Sequence, residues 1–234
     1  MKNIILTLLL IGLFVSCTEK KSPIIHDGEQ ANNLTMDSLL EDTTKVLNVD
    51  LPTLIDSVNQ ILVHEIRISS GKGRDMSFSS KKSGDYYGVG SGLINLIFED
   101  VKNNKSYLLT NNQLQISSYE VCSRLKAKIG KAYILFRVID KDYNNDGILD
   151  GRDTQGLYIS NLDGTSFSKI TKDNEMLRNG EWMYPLNRYY FRTTEDSDKN
   201  GYFDFKDKIH YYYIQFEEQG YQVMEYNPLE MLNK

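Results

Sequence analysis

Two twelve-residue stretches concentrate oxygen-bearing side chains at matching positions. The first begins at Asp142 and the second at Asp196, 54 residues later (196 − 142). Counted from those residues, positions 1, 3, 5, 9 and 12 are Asp142, Asn144, Asp146, Asp150 and Asp153 in one, and Asp196, Asp198, Asn200, Asp204 and Asp207 in the other. Position 6 is glycine in both, Gly147 and Gly201, and position 8 is apolar, Leu149 and Phe203. Alternate residues of a tightly curled loop point inward, which gathers the first three side chains around one point. Glycine permits the sharp turn that brings the position 7 carbonyl, of Ile148 or Tyr202, to the same point. Such a set of oxygens suits a hard cation, and calcium takes six to eight of them at about 2.3–2.6 Å. Each stretch also carries four Asp residues, which repel one another unless a cation compensates. The pattern predicts two Ca2+ sites, with these ten side chains and the carbonyls of Ile148 and Tyr202 as ligands. The competing reading is a pair of solvated polar turns, and the recurrence of the whole pattern argues against it.

The loops are similar to the twelve-residue EF-hand loop, with Asp153 and Asp207 where that loop prefers Glu. The shorter carboxylate must approach closer or bind through one oxygen. Strand-like segments flank both loops, so the resemblance is to the EF-hand-like loops of extracellular calcium modules rather than to helix-loop-helix sensors. It implies an affinity in the micromolar-to-millimolar range and a structural role for the ion.

The elements that must position these loops form an internal repeat. Leu135, Phe136 and Arg137 precede the first loop as Tyr190, Phe191 and Arg192 precede the second. Leu157 to Ser160 follow the first as Tyr211 to Ile214 follow the second. Each unit reads strand, acidic loop, strand, tight turn, strand, over residues 111–171 and 172–227. Strands are expected at 51–55, 61–68, 93–98, 105–109, 133–139, 157–162, 166–171, 188–193, 209–216 and 221–226, with Asp163 and Gly164 as a hairpin turn. A degenerate third copy without an acidic loop is expected around 93–110. Residues 34–40 suit one helical turn, and 120–130 suit either a helix or a strand and a loop. The run from Gly156 to Thr171 resembles the TolB-type β-propeller repeat, in which a strand ending in a Leu-Asp-Gly-like turn runs into a final Leu/Ile-Thr. That resemblance implies blades of four antiparallel strands. A closed ring needs four to eight blades and this length holds about three. The expected fold class is therefore all-β, an antiparallel meander of about three propeller-like blades, open or incomplete, behind an N-terminal signal and tether.

The first sixteen residues read as a targeting segment, with Lys2 ahead of an apolar run from Ile4 to Val15 that is too short to span a bilayer. It ends in Phe14-Val15-Ser16-Cys17, which resembles the lipobox of bacterial lipoproteins and implies a lipid on Cys17. Residues 17–45 are polar and read as a tether, leaving a β-rich domain over 46–234. With Thr18 after the cysteine, the expected location is the cell envelope, held at the membrane through the lipid and sorted to the outer membrane. Cys122 is then a lone thiol and reads as a small buried apolar residue.

A net charge of −5 supplies no basic field for nucleic acid. His26, His64 and His210 are scattered without zinc-ligand spacing, and Gly88 to Gly92 reads as a flexible turn rather than a phosphate loop. No catalytic motif emerges, so the expected role is non-enzymatic binding or support of a protein or glycan ligand. Trp182, Tyr184, Tyr189 and Tyr190 read as core and cross-strand packing, or as a sugar- or peptide-binding face. The alternative is an envelope hydrolase or its accessory subunit, acting on glycan or peptide. It requires a carboxylate pair in a cleft outside the loops, among Glu99, Asp100, Glu120 and Glu181.

Overall fold

In the computed structural model the described residues are 35–41, 45–70, 81–83, 86–88, 92–144 and 149–233. The expected targeting segment, Cys17 and most of the expected tether lie outside them. A short helix, α1 (Met36–Glu41), precedes strands β1 (Lys45–Val49), β2 (Thr53–Asp56), β3 (Ile61–Ser70), β4 (Lys81–Ser83), β5 (Tyr86–Gly88), β6 (Leu93–Asp100), β7 (Lys105–Leu108) and β8 (Gln115–Val121). Helix α2 (Ser123–Ile129) follows, then β9 (Tyr133–Ile139), β10 (Gln155–Asn161), β11 (Ser168–Lys169), β12 (Glu175–Met183), β13 (Arg188–Glu195), β14 (Lys208–Glu217) and β15 (Gly220–Tyr226). The chain is all-β with antiparallel sheets, as expected.

The strands form three sheets. The first has the order β1-β3-β6-β7, with β2 also on β3; the second runs β11-β10-β9-β8-β5-β4; the third runs β12-β13-β14-β15. Strands β8 to β11 and β12 to β15 are therefore two consecutive four-stranded meanders. In each, the acidic loop joins the second strand to the third, β9 to β10 and β13 to β14.

The second sheet packs between the other two. Strand β9 reads Tyr-Ile-Leu-Phe-Arg-Val-Ile and is apolar on both faces, the mark of a strand covered on both sides. Ile134, Phe136 and Val138 join a core with Leu96 and Phe98 of the first sheet. Tyr133 and Leu135 join another with Leu177, Phe191, Tyr212 and Phe216 of the third. Full burial of each such side chain contributes about 1.5–3 kcal/mol. Strand β14 shows the one-sided pattern instead: His210, Tyr212, Ile214 and Phe216 are buried while Tyr211, Tyr213 and Gln215 are half-buried.

Polar ties cross the sheets where apolar packing ends. Arg67 on β3 is buried between Glu65 and Asp50, and the Tyr119 hydroxyl on β8 donates to Glu65 at 2.9 Å. Asp56 accepts both Lys126 of α2 at 3.0 Å and the Val58 amide at 3.0 Å. Burial pushes the Asp56 carboxyl up, but Lys126 and the neighbouring N–H groups outweigh it and hold the carboxyl below its ordinary range.

Four local expectations are revised. Strand β12 is not among the expected strands; it carries a bulge, where the register against β13 shifts between Leu177 and Gly180. Strand β8 was likewise not anticipated from Gln115 to Val121. The strand expected at 166–171 shrinks to Ser168–Lys169, because Ser166 takes a φ of 57° and widens the turn. Strands β6 and β7 pair as the expected hairpin but belong to the mixed-order first sheet, so they do not repeat the later meanders. Over 120–130 both readings apply: β8 ends at Val121 and α2 begins at Ser123, closed by Gly130 in the left-handed conformation. Cys122 is fully buried, as expected.

The first and second sheets meet at the turn after β10. Gly164 there has a φ of 83°, and a Cβ on it would run into the Phe98 ring, while the Tyr107 hydroxyl donates to the Asp163 carbonyl at 2.8 Å. Gly164→Ala is expected to cost about 2–4 kcal/mol from the left-handed backbone and the clash, lowering the melting midpoint by roughly 5–15 °C. Gly220→Ala, where an added Cβ meets nothing within 4 Å, is the control and should change the midpoint little. Thermal melts of the two variants check this.

Candidate metal centre

The second acidic loop is described throughout. It leaves β13 at Asp196 and enters β14 after Asp207, so both of its ends are fixed by the β13–β14 pairing. The buried Asp207 carboxylate accepts the Ser197 N–H at 2.9 Å on one oxygen and the Asp204 N–H at 2.8 Å on the other. Position 12 thereby ties position 2 to position 9. Asp196 accepts the N–H groups of Asn200 at 3.1 Å and Gly201 at 2.9 Å, and Asn200 accepts the Tyr202 N–H at 2.8 Å. Gly201 has a φ of 80°, the turn that the sequence reserved for glycine. Carboxylate oxygens of Asp196, Asp198 and Asp207 lie within 4.8 Å of one another, an arrangement able to hold a metal ion. Negative charges at that spacing repel by about 3–4 kcal/mol per pair at an effective dielectric of about 20. A divalent cation among them reverses the sign.

The first loop joins β9 to β10; its positions 4 to 7, including Asp146 and Ile148, lie outside the described residues. Four of its described bonds repeat those of the second loop. Asp153, 4% exposed, accepts the Tyr143 N–H at 3.0 Å on one oxygen and the Asp150 N–H at 3.0 Å on the other. The position 12 amide donates to the position 9 carbonyl in both, Asp153 to Asp150 at 3.0 Å and Asp207 to Asp204 at 3.4 Å. The position 11 amide donates to the position 9 carboxylate in both, at 2.8 Å from Arg152 and 2.7 Å from Lys206. Burial, joined by the charge of Asp142, holds the Asp153 carboxyl above its ordinary range despite the amides that pull it down. The loops differ at position 9. Asp150 is gripped by the Arg152 guanidinium at 2.7 Å, which draws its carboxyl below the ordinary range, whereas Lys206 lies over the Phe205 ring, 5.9 Å from its centre. Position 9 often serves calcium through a water in such loops, which leaves room for this difference.

The two loops also face each other. Asn144, Gly151, Arg152 and Asp153 line one side of a cleft of about 520 Å³, and Gly201, Tyr202, Phe203 and Asp204 line the other. Arg178 of β12 stands in it, donating to the Thr194 hydroxyl at 2.8 Å and the Phe203 carbonyl at 3.1 Å. Sequence repetition gives the likeness of the loops but not this proximity.

Beneath the second loop lies a cluster that sequence reasoning missed. It takes one residue from each strand of the third sheet: Glu175, Glu195, His210 and Glu225. Buried His210 meets Glu225 at 2.8 Å through Nδ1 and Glu195 at 2.8 Å through Nε2. Glu175, 2% exposed, accepts the hydroxyls of Thr193 at 2.6 Å and Tyr212 at 2.9 Å. The bond from His210 is the main pull that holds the Glu195 and Glu225 carboxyls below their ordinary range. The available signal was inward placement: Glu175 and His210 fall on the buried face of their strands.

The remaining candidates separate. Glu99 contacts His64 at 3.0 Å, and Asp100 caps the turn at Asn103. Glu120 and Glu181 line one cleft, with Trp182 and Tyr189. Residues 89–91 of the glycine run lie outside the described residues.

Loop framework and cation shell are separable by mutation. Asp207→Ala leaves two N–H groups without their acceptor and should cost about 2–4 kcal/mol even in chelator. Asp198→Ala removes one of the three repelling charges at an exposed side chain, so it should cost nothing or stabilise in chelator and destabilise only when calcium is present. Denaturant melts with and without chelator distinguish the two. In comparisons with family models, curated proteins and solved structures, no match to this chain was found, so the reading of the site rests on its own geometry.

Proposed function

We propose that this chain is a membrane-anchored lipoprotein whose all-β domain is stabilised by calcium and has a binding or structural role without chemistry of its own. The observation that carries the calcium reading is the shared closure of the two loops: in each, one buried Asp at position 12 bonds the amides of positions 2 and 9. Solvated turns need not repeat a buried carboxylate at the same joint of two meanders. The ligands are Asp142, Asn144, Asp146, Ile148, Asp150 and Asp153 in one loop, and Asp196, Asp198, Asn200, Tyr202, Asp204 and Asp207 in the other, with Ile148 and Tyr202 acting through their carbonyls. Each ion closes the connection between two core strands, so its binding free energy adds to folded stability. The two meanders are then propeller-like blades, each carrying one ion at the same corner.

The lipid anchor at Cys17 and the outer-membrane location rest on the sequence alone. A binding role is supported by the outer face of the third sheet. Tyr190, Tyr211, Tyr213 and Tyr226 meet there with ring centres 5.4–6.0 Å apart, and Arg188 lies over Tyr213 at 4.4 Å. Met224 beside them is 43% exposed. A second reading, as an envelope hydrolase or its accessory subunit, is favoured by one observation, the presence of Glu120 and Glu181 in one cleft.

Thermal melts test the calcium reading. Calcium should raise the midpoint over chelator, by about 2.7 kcal/mol per site at 100 times the dissociation constant, and magnesium should do much less. Asp142→Ala with Asp196→Ala should abolish the rise; equal midpoints with calcium and chelator in the native chain would overturn it. In a bacterial host, Cys17→Ala should move the chain from the membrane fraction to the soluble one, and unchanged fractionation would sink the lipid anchor.

A further inference from the structure

A second cleft, of about 550 Å³, lies between the second and third sheets, and its lining shares no residue with the acidic loops. That volume is within the range of small-molecule sites. Its polar lining includes Glu120 of β8, Arg137 of β9 and Glu181 of β12, and its aromatic lining includes Trp182 of β12 and Tyr189 of β13. Two carboxylates from separate strands thus border one space, without a lysine among the described residues of its lining.

Each of these groups is set in place by a neighbour. The Tyr184 hydroxyl donates to Glu120 at 3.2 Å. The Tyr184 ring stacks on Trp182 at 4.9 Å with 8° between the planes, and Arg124 covers its other side at 4.8 Å. Arg137 is held by the Arg178 carbonyl at 3.1 Å. Tyr189 reaches across β12 because residue 180 is glycine; a Cβ there would run into the Tyr189 hydroxyl. The Trp182 indole N–H is buried and has no hydrogen-bond partner among the described residues, a donor whose isolation is costly.

Carboxylate acceptors, a guanidinium and an aromatic wall together suit a ligand with many hydroxyls and an apolar face. Two carboxylates disfavour a phosphate or nucleotide. We propose that this cleft binds a neutral saccharide chain, with Glu120 and Glu181 accepting from sugar hydroxyls and Trp182 and Tyr189 as the aromatic wall beside the sugar. The site does not rest on the calcium reading.

The test uses the only tryptophan of the chain as its reporter. Cellotriose, maltotriose and chitotriose are each titrated into the full-length protein while Trp182 fluorescence is followed, with trilysine as the cationic comparison. A saturable change with at least one trisaccharide is expected, weakened at least tenfold in Glu120→Gln with Glu181→Gln. Glu181→Gln alone, at an exposed side chain, should weaken it in the same direction if the double variant fails to fold. No saturable change with any of the three sugars overturns the proposal. So does a response to trilysine alone, which would make the occupant a cationic peptide, or a sugar response that survives in the folded variants. The calcium dependence of the melting midpoint is read separately, so failure here leaves that reading standing.

Discussion

A buried carboxylate ties together the two ends of each acidic loop. Asp153 and Asp207 sit at the foot of β10 and β14, where a carboxylate out of water must find donors to offset its lost hydration. Both find them in the amides of positions 2 and 9. That bond pattern curls the intervening residues, and the curl in turn brings Asp196, Asp198 and Asp207 close enough to repel strongly. The loop is thus held shut by neutral amides and strained by its own charges. A divalent cation is the species that relieves the second without disturbing the first.

The stacked sheets make this arrangement possible. Because β9 is covered on both faces, its far end is fixed in position and so is the start of the first loop. Among the described residues the third sheet is covered on one face only. Its buried side carries the Glu175–His210 cluster below the second loop, and its open side carries the tyrosine face. The clefts fall where the second and third sheets diverge: one between the loops, the other around Trp182.

Much of this was legible in the chain. The twelve-residue pattern located both loops, and the strands flanking them fell where the alternating and continuous apolar runs placed them. What escaped was set by contacts distant in sequence. Asn179-Gly180 carries the chemistry of a turn, yet it stays in β12 because glycine lets the Tyr189 hydroxyl cross the strand. Leu125 and Ile129 mark only one apolar edge of α2, too little to separate a seven-residue helix from a loop. The grouping of Glu175, Glu195, His210 and Glu225 could not be read locally, since each comes from a different strand. Nor could the facing of the two loops, which depends on how the second and third sheets pack.

The central claim, that these closed acidic loops are built for calcium, is met most directly by titrating the metal-stripped chain with calcium in a calorimeter. The account predicts two ions taken up per chain, with dissociation constants in the micromolar-to-millimolar range, and loss of that uptake when Asp153 and Asp207 are both replaced by Ala. An absence of binding heat, or uptake that persists unchanged in the doubly substituted chain, would contradict it.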